Sequence, residues 1–103
     1  MFEPRILGRT GLRVGALGVG ASYGVPAAAV ERAFDHGANY LYWGSVRRGG
    51  FTQALRNLSR CRDAVVLVIQ SFTRFASLMA GSVERGLRRI GYDHADVLLL
   101  GLW

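Results

Sequence analysis

Lysine is missing from this chain: all thirteen of its basic residues are arginine. Schiff-base chemistry and catalysis by a pKa-tuned ε-amine are therefore closed to it, except through its α-amine. Cysteine occurs once, at Cys61, so no internal disulfide can form, and a reducing, cytoplasmic setting is expected. Arg60 and Arg62 flank that thiol, but no histidine base lies near it in sequence, so a plain thiol is expected. The start, Met1-Phe2-Glu3-Pro4, lacks the basic and apolar regions of a secretion signal. The longest unbroken apolar run, Ala64 to Ile69, is far too short to span a membrane, so a soluble protein is expected. Long basic runs are lacking too. The formal net charge is +6, yet the arginines are spread out, and only Arg47-Arg48 and Arg88-Arg89 stand as adjacent pairs. Nucleic-acid binding is not expected from that spacing.

What is present is ordinary globular composition. The chain has 103 residues, half of them hydrophobic and 19% charged. That suits one domain, 1–103, with a core of little margin. Residues 5–14 read as a small hairpin turning at Thr10-Gly11. The glycine-rich stretch 15–21 implies close backbone approach by a ligand or a strand. A helix is predicted from Pro26 to His36, stopped by Gly37. Residues 38–43 form an aromatic strand, and 44–50 a loop. Phe51 to Leu58 reads as a short helix, and Ala64–Ile69 as a strand apolar on both faces. Phe75, Met79, Val83, Leu87 and Ile90 repeat at helical spacing before Gly91, and Ala95–Leu100 reads as a second buried strand. Alternating strands and helices predict a parallel α/β fold. After Leu100 no helix follows to cover the last strand, so a bare edge is expected there, covered by another chain or by a further part of the protein.

Four stretches resemble the aldo-keto reductase family, in order and at sensible spacing. RILGRTGLRVGALGVG (5–20) is similar to its amino-terminal hairpin and first barrel strand, and ERAFDHGANYLYW (31–43) to its first helix and second strand. RDAVVLVIQ (62–70) resembles the third strand, and SVERGLRRIGYDHADVLLLG (82–101) the third helix and fourth strand. The resemblance implies an α/β fold: the amino-terminal half of a (β/α)8 barrel, about four parallel strands with three helices after a short hairpin. It also implies a family chemistry, NADPH-dependent reduction of aldehydes and ketones by an aspartate, tyrosine, lysine and histidine tetrad.

Carried over by position, that tetrad is replaced throughout. The aspartate falls on Tyr42, the tyrosine on Arg47, the lysine on Gln70 and the histidine on Gly101. The expectation is a half-barrel without the family's catalytic parts, acting as an assembly or binding module. The family's NADPH contacts come mainly from the other half of its barrel, so this chain alone is expected to hold no cofactor. Gly20, Ala21 and Ser22, where the first strand meets the cofactor in the family, are the weak candidates to touch NADPH. The stretch is not a GxGxxG fingerprint. The alternative is an NADPH-dependent oxidoreductase completed by a C-terminal half or a partner chain, with Tyr42 and Arg47 as acid and tuner. A third reading is an anion- or nucleic-acid-binding module, with Arg47 and Arg48 as anion ligands.

The bland readings stand beside these. Tyr40 and Tyr42 are expected to fill the barrel interior, and Gln70 to replace a charge that has lost its partner. His36 and His94 have no second ligand at metal spacing, so no metal is expected. Trp43 and Trp103 are expected to pack, Trp103 against a partner. A second copy of the chain, or a C-terminal half-barrel, is the expected cover for the edge at Leu98–Leu100.

Overall fold

The structure, a computed structural model, describes residues 3–21, 24–43, 49–71 and 75–100. A two-stranded antiparallel hairpin comes first, β1 (Arg5–Ile6) with β2 (Arg13–Val14). The Leu7 amide donates to Leu12 O, and the Thr10 hydroxyl to Leu7 O, closing the turn expected at Thr10-Gly11. Then come β3 (Gly18–Gly20), α1 (Ala27–Asp35), β4 (Tyr40–Trp43) and α2 (Gly49–Asn57). A 3-10 turn (Leu58–Ala64) leads into β5 (Val66–Ser71), α3 (Ala76–Ile90) and β6 (Val97–Leu100). The last four strands make one parallel sheet in the order β3-β4-β5-β6. This is a parallel α/β fold, as the alternation predicted.

Local sequence explains most of the elements. Pro26, extended at φ −69° and ψ 153°, opens α1, and Gly37 at φ 100° follows its end. In α2, Phe51, Ala54 and Leu55 bury one face at helical spacing. Gly91 ends α3 in the left-handed region at φ 78°, and its amide bonds Leu87 O. The core lies between sheet and helices. Leu41, Trp43, Leu67 and Ile69 point from the strands toward Val30, Phe51, Leu55 and Ile90. Each large side chain fully buried there contributes ~1.5–3 kcal/mol.

Several expectations needed correction. Gly49 and Gly50, expected in the loop 44–50, open α2, which ends at Asn57 before Leu58. The third strand begins at Val66, because Ala64 belongs to the 3-10 turn and Val65 links the two. Phe75 is not part of the buried face of α3: it sits extended at the helix start and is 67% exposed. Gly86 takes the central place on that face. A Cβ on Gly86 would come within 2.8 Å of the Trp43 ring, so the glycine is what lets the indole seat against the helix. β6 is not a buried strand, since Leu98, Leu99 and Leu100 are 43%, 39% and 53% exposed. It has a single strand neighbour in the sheet, and α3 packs on β5.

Candidate functional site

Strand alternation sorts the side chains of the sheet into two faces. Leu41 and Trp43 of β4, with Leu67, Ile69 and Ser71 of β5, face the helices. Tyr40 and Tyr42 pair in register with Val66 and Val68 and take the opposite face, together with Gln70. On β6, Val97 and Leu99 share that face, in register with Val68 and Gln70. On β3 the same face carries only Gly18 and Gly20.

Toward the carboxyl ends of the strands, the Tyr42 hydroxyl donates to Gln70 Oε1 across 28 residues of sequence. Both side chains are half-buried. Two of the sequence candidates are thus brought together by one hydrogen bond. Tyr40 lies two residues back on the same face, as expected. Ala21, just after β3, is fully buried, and its amide donates to Tyr42 O at 3.1 Å. Its one backbone donor is therefore already used. Gly20 is exposed beside the Tyr42 ring. Ser22, Arg47, Arg48, Gly101 and Trp103 lie outside the described residues. Of the cofactor candidates, only Gly20 is described with its backbone open to a ligand, and it brings no side chain.

The opposite ends of the strands carry a denser network that the sequence reading did not pick out. Asn39 precedes β4. Its Oδ1 accepts the Gly15 amide at 2.8 Å, and its Nδ2 donates to Arg13 O and Ala64 O, both at 2.9 Å. One side chain thus ties the hairpin, β4 and the entry to β5. Arg62 pairs with Asp96 at 3.0 Å and donates to Val65 O and His94 O. Asp96 also accepts the Leu67 amide at 2.8 Å. The Arg62 guanidinium lies 5.1 Å from the Tyr92 ring centre. Its enclosed Nε has no hydrogen-bond partner among the described residues. Burial pushes the Tyr92 phenol up to about 12, against a smaller opposing effect of Arg62. The Tyr92 hydroxyl donates to Leu55 O at 2.8 Å. His94 bonds Asp93 and holds that carboxyl below its ordinary range. A cavity of about 500 Å³ opens here between the hairpin and the strand starts, lined by Arg13, Asn39, Arg62, His94 and Asp96 among others.

Other candidates fall into structural places. The Trp43 indole N–H donates to Thr52 at 2.8 Å, and the ring is buried, the packing role expected of it. His36 Nδ1 lies 2.8 Å from Arg32 O at the end of α1. Cys61 is exposed. Among the described residues, no three His, Cys, Asp or Glu side chains group as metal ligands. No described helix is long and apolar enough to cross a membrane.

No family model matches the chain, and no curated protein matches it. Solved structures do. An aldo-keto reductase from Klebsiella pneumoniae in complex with NADPH superposes with a TM-score of 0.78 at 25% identity, over 97% of this chain and 39% of the other. An aldo/keto reductase from the same organism, in complex with NADP and acetate, gives 0.72 at 28% identity, over 87% and 36%. The chain thus spans less than two fifths of the length of either enzyme. In sequence pattern and in three dimensions, this chain has the fold of part of an aldo-keto reductase barrel.

Proposed function

We propose that this chain is a non-catalytic, aldo-keto reductase-like partial barrel that serves as an assembly or binding module. The hydrogen bond from Tyr42 to Gln70 carries the reading. These positions correspond by resemblance to the aspartate and lysine of the family tetrad, and here they hold two neutral groups joined by a hydrogen bond. An ion pair that could lower the pKa of a catalytic tyrosine has no counterpart in them. A lysine cannot come from elsewhere in a chain that has none. Gln70 in place of lysine also spares the face a buried charge. A reducing compartment such as the cytoplasm suits the exposed Cys61.

The test is titration with NADPH followed by fluorescence, with turnover measured on simple aldehydes and ketones. No saturable binding at millimolar cofactor, and no turnover, is expected. Saturable binding in the micromolar range with carbonyl reduction would overturn the proposal.

A second reading is favoured by the similar enzymes, which were solved with NADPH or NADP. In it the chain is part of an NADPH-dependent carbonyl oxidoreductase completed by further barrel strands, with Tyr42 as proton donor beside Arg47. That reading requires Tyr42→Phe to abolish the turnover of the completed protein. Unchanged turnover in the variant removes Tyr42 from any catalytic role.

A further inference from the structure

We propose that the helix-free face of the sheet and its two edge strands close against a second copy of this chain, forming an eight-stranded barrel. The inference deepens the assembly-module reading and rests on it, because it treats this face as an interface and not as a reductase site.

The first observation is strand count and direction. The described sheet has four parallel strands, with β3 and β6 at its edges. Eight such strands close a barrel of this type. A two-fold rotation about an axis along the strands sets β6 of each copy beside β3 of the other. All eight strands then run parallel, and neither edge stays open.

The second is surface area. The chain exposes 6826 Å². A compact monomer of 11.3 kDa exposes about 5,700 Å². The excess, about 1,100 Å² over the whole chain, is of the order of the ~800 Å² per partner that a stable interface buries, and Gly18, Gly20, Leu98, Leu99 and Leu100 of the edge strands contribute exposed surface to it.

The third is chemistry. The described residues of the helix-free face are Gly18 and Gly20, Tyr40 and Tyr42, Val66, Val68 and Gln70, and Val97 and Leu99. None of these is charged, so closure over these described residues buries no charge even though each chain carries +6. The substitutions at Tyr42 and Gln70 are part of that neutrality. Shape agrees with it. Leu99 is 39% exposed on β6, whereas β3 offers only glycine on this face, with the Tyr40 and Tyr42 rings beside it. A register that keeps the inward and outward alternation and pairs Leu99 within β3 seats it against Gly18 or Gly20 of the other copy, a large residue facing a small one.

The experiment is sedimentation equilibrium of the 103-residue chain without cofactor, so that its result stands apart from any turnover measurement. A closed dimer of twice the chain mass is expected. Leu99→Asp should return it to monomer with an unchanged circular-dichroism spectrum, and Leu78→Asp, on the exposed side of α3, should leave the dimer intact. A monomeric wild-type chain, an open-ended series of oligomers, or a Leu99→Asp chain that still dimerises overturns the proposal. Should Leu99→Asp fail to fold, hydrogen exchange on the wild-type chain decides. Amides of β3 and β6 must gain protection as concentration rises, and exchange there that is independent of concentration rejects the closed pair.

Discussion

The two ends of the parallel sheet differ in kind. At the amino ends of the strands, Asn39, Arg62 and Asp96 bind the hairpin, the 3-10 turn and three strands through charged and amide groups. Toward the carboxyl ends, Tyr42 and Gln70 form one neutral pair on an otherwise apolar face. In barrels of this type the amino end serves stability, and the carboxyl end carries the chemistry. Among the described residues, the polar construction is concentrated at the amino ends of the strands, and the inward face at the carboxyl ends carries the neutral Tyr42–Gln70 pair. The contrast teaches that the groups tying the strand starts together and the Tyr42–Gln70 pair occupy opposite ends of the same strands, so one set can change without disturbing the other.

The largest expected effect belongs to the amino end. Asp96→Ala removes the acceptor of the Leu67 amide and leaves Arg62 mostly buried without its carboxylate. A loss of ~2–4 kcal/mol is expected by urea denaturation. A loss near zero would show that the network is decoration, and the contrast between the ends would collapse.

The next effect is one of pH. Tyr92 keeps its proton in the folded chain up to about 12, whereas its ordinary value is 10.0. The unfolded chain thus releases the proton first. Stability is full below about pH 10 and falls as pH rises from there toward 12, by about 2 kcal/mol in all. Tyr92→Phe should flatten this alkaline decline, measured as the urea midpoint against pH. An equal decline in the variant would assign it to other groups.

The smallest effect is expected at the carboxyl end. Tyr42→Phe removes one hydrogen bond from a half-buried pair whose remaining amide can reach water. A cost below ~1 kcal/mol is expected in the same denaturation assay. A cost as large as that of Asp96→Ala would show that both ends are built for stability.

Much of the fold was legible in the residues. The apolar run around Val66–Ile69 is buried throughout, the spacing of Leu87 and Ile90 marks α3, and Gly37 and Gly91 stop helices at positive φ. The pairing of Tyr40 and Tyr42 on one face follows from strand alternation alone. The network at the amino end was not legible, because its signals are single residues far apart. Asn39 bonds Gly15 and Ala64, and Tyr92 bonds Leu55 across 37 positions. Nothing in the local pattern marks Asn39 as different from any turn asparagine. Gly86 was likewise invisible: it falls inside a good helix pattern, and its reason is a tryptophan on β4.

Composition and order decided which elements this chain forms and that it carries no lysine side chain. Without lysine there is no tetrad lysine, and alternating apolar runs with glycine stops give strands and helices, because backbone preference and side-chain periodicity act over a few residues. Only the tertiary structure decided which groups meet. It turned Tyr42 toward Gln70, set Arg62 against Asp96, and left Leu98 to Leu100 on an open edge. Register, burial and hydrogen-bond partners depend on residues dozens of positions away, and the packed sheet is what brings them within reach.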